Sequence, residues 1–184
     1  MNRRTGWLVV AALVVAGACS RRQPPAEPEQ STPTPTTQPT TEPTTPADTG
    51  PTAAEIAAER AAIRASLEQM VHFDYDEARI RSDAEQVLNQ KVPLLRANPS
   101  VTLRITGHAD ERGSTEYNLA LGLRRANAVR EFLSNFGVDG MRLMTETMGE
   151  DRPLEMGSNE AAWARNRRAE FAITAGGDNL TRGR

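Results

Sequence analysis

The chain has 184 residues, a formal net charge of −2 and a single cysteine. This length predicts one domain with additional segments rather than two full domains. Hydrophobic residues make up only 38% of the chain, which indicates that part of it does not pack into a core. One cysteine excludes an intramolecular disulfide framework and a cysteine-cluster zinc site. The near-neutral charge argues against nucleic acid as a partner, because phosphate binding leaves a strongly basic footprint.

The N-terminus has the pattern of a targeting segment. Two arginines near the start precede an apolar run of about ten residues from Trp7 to Ala16, which has signal-peptide length and is too short to span a bilayer. Small residues at positions 16–18 directly precede Cys19. We therefore predict a signal peptide over residues 1–18, whose removal would change the formal net charge from −2 to −4.

The residues around Cys19 resemble the lipobox of bacterial lipoproteins, although Ala16 stands where leucine is commonest. That resemblance implies that Cys19 is lipidated and becomes the mature N-terminus. Ser20 follows and no aspartate occupies the sorting position, which implies an outer-membrane location facing the periplasm. Acyl chains contribute roughly 0.8 kcal/mol per buried methylene, so several chains anchor firmly. The alternative is an ordinary secretory signal with an incidental cysteine.

Residues 19–52 are predicted to be a disordered tether. Nine of the 12 prolines fall here among Thr, Gln, Glu and Ser, with no aromatic or large aliphatic residue. Such a segment cannot bury enough apolar surface to offset the entropy of ordering. Proline at this density favours extended polyproline II, which rises about 3.1 Å per residue. The segment can therefore connect an anchored end to a layer some distance away.

Residues 53–70 change to an Ala-, Glu- and Arg-rich composition that predicts an approach helix. Ile56, Ile63, Leu67 and Met70 recur at helical spacing on one narrow stripe. We expect this helix either to dock on the following domain or to fray. The stripe is too short to support a coiled coil, which is the alternative.

Residues 71–174 alternate short strand patterns with helical patterns, which predicts one α/β domain. Its expected form is an α+β two-layer sandwich with the order βαβαβαβ and a mixed sheet covered by helices. In chain order the predicted elements are a strand at 71–73, a helix at 82–97, a strand at 101–106, a helix at 115–136, a strand at 141–148, a short helix capped by Ser158 and ending at Asn166, a strand at 169–173, and a loose, flexible tail over 175–184.

Local signals refine two of these helices. Ser82 and Glu85 have the spacing of a capping box, and Pro93 predicts a kink or an early end of the same helix. In the helix at 115–136, apolar residues at helical spacing predict the face that packs on the core. This predicted stripe consists of Leu119, Leu123, Ala126, Val129, Leu133 and Phe136.

A polar loop at residues 107–113, Gly-His-Ala-Asp-Glu-Arg-Gly, joins a predicted buried strand to the longest predicted helix. Such a junction presents unpaired backbone N–H groups and the positive end of a helix dipole, which favour anions. Asn118, Gly122 and Arg125 share one face of that helix, which we expect to lie off the apolar stripe. A helical glycine costs about 1 kcal/mol relative to alanine. Gly122 therefore indicates close approach of a backbone or a ligand, with random drift as the alternative.

Asp110 and Arg125 give this junction both signs of charge, and we expect both side chains to be partly exposed. A carboxylate binds a cation and a guanidinium binds a carboxylate. The complementary ligand is a zwitterion with an amino group and a carboxylate a few ångströms apart. The alternative is a solvated ion pair, which contributes little to stability.

The loop at 107–113, Tyr117-Asn118 and the run from Leu121 to Val129 together resemble the OmpA-like C-terminal domain family. The Asp-Glu-Arg-Gly loop and Gly122 are most similar to the peptidoglycan-associated lipoprotein (Pal) group of that family, although many OmpA-like relatives have serine at position 122. The resemblance extends over residues 71–174, with Val71-His72-Phe73-Asp74 at the start and Asn166-Arg167-Arg168-Ala169 at the end.

The resemblance implies non-covalent binding of peptidoglycan through the diaminopimelate of its stem peptide. Asp110 would pair with the ammonium group and Arg125 with a carboxylate, and Arg168 would be a supporting arginine at the rim. It also implies a TolB-like periplasmic partner and a role in the Tol-Pal system, in envelope integrity and cell division. The full set of implied ligand-binding residues is Asp110, Arg125, Asn118, Asp74, Gly107, His108, Leu121 and Arg168.

Other functions are less well supported by the sequence. His108 and Asp110 could form half of a metal site or an acid–base pair, but no third ligand stands at a recognisable spacing. The chain has no nucleophile elbow, Walker loop or dinucleotide fingerprint, so we predict neither enzymatic activity nor a cofactor. Arginine pairs such as Arg124-Arg125 could contact nucleic acid, but the mature acidic balance and the absence of interleaved aromatics argue against it.

Overall fold

The computed structural model describes residues 50–183. The predicted signal peptide, Cys19 and the tether up to residue 49 lie outside the described residues. Within residues 50–183, no helix combines the length and apolar character that crossing a membrane requires. The elements are α1 (Ala53–Glu68), β1 (Val71–His72), α2 (Ser82–Ala97), β2 (Thr102–His108), α3 (Thr115–Asn135), β3 (Leu143–Gly149), α4 (Glu160–Asn166) and β4 (Arg168–Ala175).

The four strands form one mixed sheet in the order β1-β4-β2-β3. β2 pairs in parallel with β3, whereas β4 runs antiparallel to both β2 and β1. The hydrophobic core joins one face of this sheet to helices α1, α2 and α3, with Leu103 and Ile105 of β2 buried at its centre. This confirms the predicted class: a mixed sheet covered by helices.

The approach helix α1 is docked on the domain. Thr52 and Glu55 form a reciprocal capping box at its start, which satisfies two otherwise unpaired N–H groups. Ile63 and Leu67 are buried in the core. At the end of α1, the Nζ atom of Lys91 donates to the carbonyl oxygens of Ser66 and Leu67 at 2.7 and 2.9 Å. Of the two behaviours the sequence allowed, the structure has the docked one.

Helix α2 differs from prediction in how it begins. The N-cap is Arg81, which makes no side-chain capping hydrogen bond, and Ser82 is already helical. The capping box predicted for Ser82 and Glu85 is therefore wrong. The carboxylate of Asp83 instead accepts the N–H of Ala84 at 3.0 Å. The helix continues past Pro93 to its predicted end.

Smaller corrections concern element ends in the second half of the chain. β2 continues to His108, two residues further than predicted, because Gly107 pairs with both neighbouring strands and His108 still pairs with Gly149 of β3. β3 starts only at Leu143, since a 3₁₀ turn at Gly140–Arg142 precedes it. The cap of α4 is Asn159 rather than Ser158, and its side chain accepts the N–H of Ala162.

The chain after β4 packs against the domain, in contrast to the loose tail that its glycines suggested. Leu180 is only 3% exposed and belongs to the core. The side chain of Asn98 donates to the carbonyl of Thr181 at 2.6 Å and accepts the N–H of Thr181 at 2.8 Å. Two polar anchors and one apolar side chain therefore order this segment through residue 181.

The buried face of α3 is not the predicted stripe. Ala126, Val129 and Leu133 are buried as expected, but Leu123 and Phe136 are 40% and 45% exposed. In the first half of the helix the buried residues are Asn118, Leu121, Gly122 and Arg125. Polar side chains face inward there because they surround a pocket, which an apolar pattern cannot reveal.

Candidate functional site

The candidate site lies where β2 passes into α3, and its base is formed by two glycines. A Cβ atom on Gly122 would lie 2.3 Å from Oγ1 of Thr147 and 2.8 Å from the carbonyl oxygen of Gly107. The helix backbone therefore lies directly on the strand backbone. This explains Gly122 by close approach of another backbone. Gly107 belongs to the same crossing rather than to the lining of the pocket.

Asp110 is the acidic centre of the site and is 4% exposed. Its carboxylate accepts Nε–H of Arg112 at 3.1 Å, Nη2–H of Arg112 at 2.7 Å and the backbone N–H of Arg112 at 3.1 Å. Arg167 donates to it from the other side at 3.3 Å. Burial by itself would raise the pKa of Asp110, but the hydrogen bonds from Arg112 and Arg167 outweigh it and lower that pKa. Asp110 is therefore an anion at neutral pH.

The guanidinium of Arg112 lies over two aromatic rings. Its central carbon is 3.9 Å from the ring centroid of Tyr75 and 4.1 Å from that of Trp163. Aromatic faces attract a cation without occupying its N–H groups. With 28% of its side chain exposed, Arg112 separates the carboxylate of Asp110 from solvent.

Arg125 is fully buried, in contrast to the partial exposure expected from the sequence. Its guanidinium donates to the carbonyl oxygens of Glu77 at 2.8 Å, His108 at 2.7 Å and Asp74 at 3.0 Å. Burial lowers its pKa to about 10, with the negative charge of Asp110 acting in the opposite direction, so the side chain remains a cation at neutral pH. A guanidinium has five N–H groups, and these three hydrogen bonds use three of them.

Asp110 and Arg125 line the same pocket, which has a volume of about 90 Å³. A pocket of this size has room for a few water molecules, which suits the charged end of a ligand rather than a whole one. No three His, Cys, Asp or Glu side chains within residues 50–183 cluster as metal ligands. The full lining is Tyr75, Asp76, Asp110, Arg112, Gly113, Tyr117, Asn118, Leu121 and Arg125.

Asp76 is a second acid in this pocket that the sequence analysis missed. It is the only non-glycine residue with positive φ among residues 50–183, at 55°, a conformation that costs energy and is concentrated at functional sites. Its carboxylate accepts a short hydrogen bond from the hydroxyl of Tyr117 on α3. The loop after β1 is thereby connected to the helix across the mouth of the pocket.

Four of the residues implied by the resemblance line the pocket: Asp110, Asn118, Leu121 and Arg125. Asn118 is almost wholly buried and donates to Glu150 at 2.5 Å. Asp74, by contrast, directs its carboxylate to Arg81 at 2.9 Å and contributes only its carbonyl oxygen to Arg125. Asp74 therefore supports the pocket from behind, and its acidic group lies elsewhere.

His108 and Arg168 do not line the pocket either. Gly107 faces α3, so the next side chain, that of His108, points to the opposite face of the sheet, where it is 2% exposed. The neighbouring Arg168 pairs with Glu170 at 2.5 Å on that face. Arg167, one residue earlier, is the arginine that contacts Asp110. Because successive side chains of an extended segment point to opposite sides, only one of these two adjacent arginines can face Asp110. The sequence alone did not show which one.

Comparison with known proteins identifies relatives of this domain. The model of the OmpA family matches residues 72–167. The peptidoglycan-associated lipoprotein of Brucella melitensis is 43% identical over 107 residues, which cover 58% of this chain and 64% of the relative. The peptidoglycan-associated lipoprotein of Haemophilus influenzae is 42% identical over 102 residues, which cover 55% of this chain and 67% of the relative.

A solved structure gives the same result. The crystal structure of the peptidoglycan-associated lipoprotein from Burkholderia pseudomallei aligns with a TM-score of 0.57 at 38% sequence identity. The alignment covers 58% of this chain and 91% of the solved one. The shared part is the folded domain, and the matched region spans about 64% of the length of the Brucella relatives.

Proposed function

Because the chain belongs to the OmpA family, we propose that its domain binds peptidoglycan non-covalently through the diaminopimelate of the stem peptide. Bound in this way, a membrane-anchored chain tethers the outer membrane to the cell wall. The Brucella, Haemophilus and Burkholderia relatives are named peptidoglycan-associated lipoproteins, which supports peptidoglycan as the ligand. The observation that carries the proposal is the presence of a buried anion and a buried cation, Asp110 and Arg125, in one small pocket.

The free end of diaminopimelate carries an ammonium and a carboxylate on one carbon, which matches the two charges of the pocket. The ammonium pairs with Asp110, whose low pKa keeps it anionic. The carboxylate takes the N–H groups of Arg125 that the backbone carbonyls leave free. The planar guanidinium of an arginine can bind a carboxylate with two parallel hydrogen bonds, which the ammonium of a lysine cannot. Leu121 and Asn118 complete the wall against which the ligand lies.

The test compares two matched substitutions in the full-length protein, Asp110→Asn and Asp74→Asn. Each removes one negative charge with little change in shape, but only Asp110 has its carboxylate in the pocket. We expect Asp110→Asn to lose about 1.5–3 kcal/mol of affinity for a diaminopimelate-containing stem peptide, the range for a hydrogen bond to a charged group. Isothermal titration calorimetry gives both affinities. Equal affinity in the two variants would contradict the assignment of Asp110.

We propose further that residues 1–18 are a signal peptide, that Cys19 is lipidated, and that residues 19–52 form the tether between an outer-membrane anchor and the domain at 71–174. The sequence around Cys19 and the lipoprotein names of the relatives support this arrangement. Metabolic labelling with a clickable fatty acid should mark the wild-type chain and not Cys19→Ser. Equal labelling of the two proteins would contradict the proposed lipidation of Cys19.

We propose, as the resemblance implies, that the chain also acts in the Tol-Pal system with a TolB-like periplasmic partner. We propose that the domain is a binding module without turnover. A diaminopimelate-containing muropeptide incubated with the protein should be recovered chemically unchanged, as mass spectrometry would show. Cleavage of the muropeptide would favour an enzyme instead.

A further inference from the structure

We propose that Arg112 is an internal cation that occupies the ammonium position at Asp110, and that a bound ligand exchanges with it. This inference rests on the proposed function, since it concerns the selectivity of the same pocket. It assigns to Arg112 the discrimination between a zwitterionic end group and a simple amine.

The first step of the argument is that the carboxylate of Asp110 is already paired. Arg112 contacts both of its oxygens, Nε to Oδ1 at 3.1 Å and Nη2 to Oδ2 at 2.7 Å. Arg167 reaches Oδ2 at the longer distance of 3.3 Å. A ligand ammonium that pairs closely with Asp110 therefore has to break at least part of this bidentate contact.

The second step is that Arg112 is the arginine able to move. Arg125 is fully buried and its three hydrogen bonds connect the loop after β1 with the end of β2. Arg167 is also buried and bonds to the carbonyl of Phe73 and to Glu160. Arg112 has the largest exposed fraction of the three and lies in the loop between β2 and α3. Its side chain can therefore shift without disturbing a helix or strand.

The third step concerns what holds Arg112 in place when a ligand ammonium pairs with Asp110. The rings of Tyr75 and Trp163 both attract the guanidinium, and this attraction does not use its N–H groups. Arg112 can thus remain at the pocket mouth while its donors turn from Asp110 to another anion. Glu160 lies 3.7 Å from Nη1 of Arg112 and already pairs with Arg167 at 2.7 Å, so it offers Arg112 a weaker contact than Asp110 does.

Selectivity follows from the charge balance of this exchange. A simple amine, such as the side chain of a lysine-containing stem peptide, pairs with Asp110 and leaves Arg112 with only its longer contact to Glu160. A diaminopimelate end group brings its own carboxylate, to which Arg112 and the buried Arg125 can both donate hydrogen bonds. The zwitterion thus replaces one close ion pair by two, whereas a simple amine replaces one by one, so the pocket favours the zwitterion.

The experiment measures two ligands against three proteins by calorimetry with the full-length chain. The ligands are a diaminopimelate-containing stem tripeptide and its lysine counterpart, and the proteins are wild type, Arg112→Gln and Arg165→Gln. Arg165 pairs with Glu155 at 2.9 Å on exposed surface and provides the matched loss of one arginine charge. Arg112→Lys is a second variant that keeps the charge but not the bidentate geometry.

In wild type and Arg165→Gln we expect the diaminopimelate peptide to bind at least about tenfold more tightly than the lysine peptide, the equivalent of one lost charge-assisted hydrogen bond. In Arg112→Gln the lysine peptide should bind several-fold more tightly than in wild type, because Asp110 is released. The diaminopimelate peptide should bind no more tightly, so the preference shrinks. The preference of Arg112→Lys for the diaminopimelate peptide should lie between those of wild type and Arg112→Gln.

Three results would overturn the inference, and they separate it from the proposed function. If both peptides weaken by the same factor in Arg112→Gln, Arg112 only supports the pocket and the diaminopimelate site itself stands. If the preference is unchanged in Arg112→Gln, another residue sets it. If wild type binds neither peptide, the proposed function fails together with the exchange.

Discussion

A Cβ atom on Gly107 would lie 1.8 Å from the carbonyl oxygen of Gly122, so the backbones of β2 and α3 touch at this crossing. No side-chain rotation can relieve that overlap, because both atoms belong to fixed secondary structure. We predict that Gly107→Ala destabilises the domain by about 3 kcal/mol or more, at the upper end of overpacking effects. Urea denaturation followed by circular dichroism measures the change.

Gly122→Ala is the matched comparison for this prediction. Its new methyl group meets Oγ1 of Thr147, which belongs to a side chain, and the carbonyl oxygen of Gly107 at 2.8 Å. Helix propensity offsets about 1 kcal/mol of the cost. The loss should therefore be clearly smaller than for Gly107→Ala, and a larger one would contradict the geometry of the crossing.

Replacement of Arg125 by alanine is predicted to destabilise the fold as well as to weaken binding. The substitution leaves the carbonyl oxygen of His108 without its donor in a buried position, and those of Asp74 and Glu77 without theirs in partly buried positions. Unsatisfied buried groups and the lost packing volume together cost about 2–4 kcal/mol. The exposed neighbour Arg124 is the control, and its alanine variant should unfold at the wild-type urea midpoint. An Arg125→Ala domain of unchanged stability would contradict the three-carbonyl arrangement.

His108 is predicted to make the domain less stable as the pH falls from 6.5 to about 4. Burial, followed by the positive charge of Arg168, lowers its pKa from 6.5 to about 4, while Glu170 opposes the shift. Both ring nitrogens lack a hydrogen-bond partner. In this window the unfolded chain binds a proton that the folded chain does not, so the free energy of unfolding rises with pH and is lost on acidification, by at most about 3 kcal/mol.

The His108→Phe variant tests this dependence, because phenylalanine fills similar space and does not titrate. Denaturation midpoints measured between pH 4 and pH 7 should fall less steeply in this variant than in wild type. The half-buried His72 also has a pKa lowered by burial, so His72→Gln should keep the part of the slope that comes from His108. Identical slopes in wild type and His108→Phe would show that other groups control the acid response.

Lys91, the sole lysine of the chain, is predicted to hold the end of α1 on the domain. Its ammonium is buried, donates to the carbonyls of Ser66 and Leu67, and lies 4.2 Å from the ring centroid of Phe171. Lys91→Met keeps an apolar chain of similar length but removes both donors, at a cost of about 1–3 kcal/mol. Amide hydrogen exchange in the last turn of α1 should accelerate, whereas the exposed control Arg79→Met should leave it unchanged. Unchanged exchange in Lys91→Met would show that core packing alone fixes α1.

Local patterns in the sequence determined the architecture of the domain. An element that is buried on one side has apolar residues at the period of that element. This is why the alternation in β2 and the helical spacing in α2 and α3 could be found in the sequence. The loop at 107–113 and Arg125 were also identified from the sequence, because chain connectivity alone places a strand–helix junction next to the first turns of its helix. The lipobox-like segment is a local signal of the same kind.

Tertiary structure alone decided which side chains face one another within the site. Asp76 and Arg167 join Asp110, Arg112 and Arg125 from two further segments of the chain, and no periodicity records contacts between segments distant in sequence. The side chains of His108 and Arg168 point away from the pocket, because of their positions in β2 and β4. Arg125 is buried because neighbouring elements cover it. A local pattern shows which side of an element is buried, whereas the charge balance of a pocket depends on every element that contributes to it.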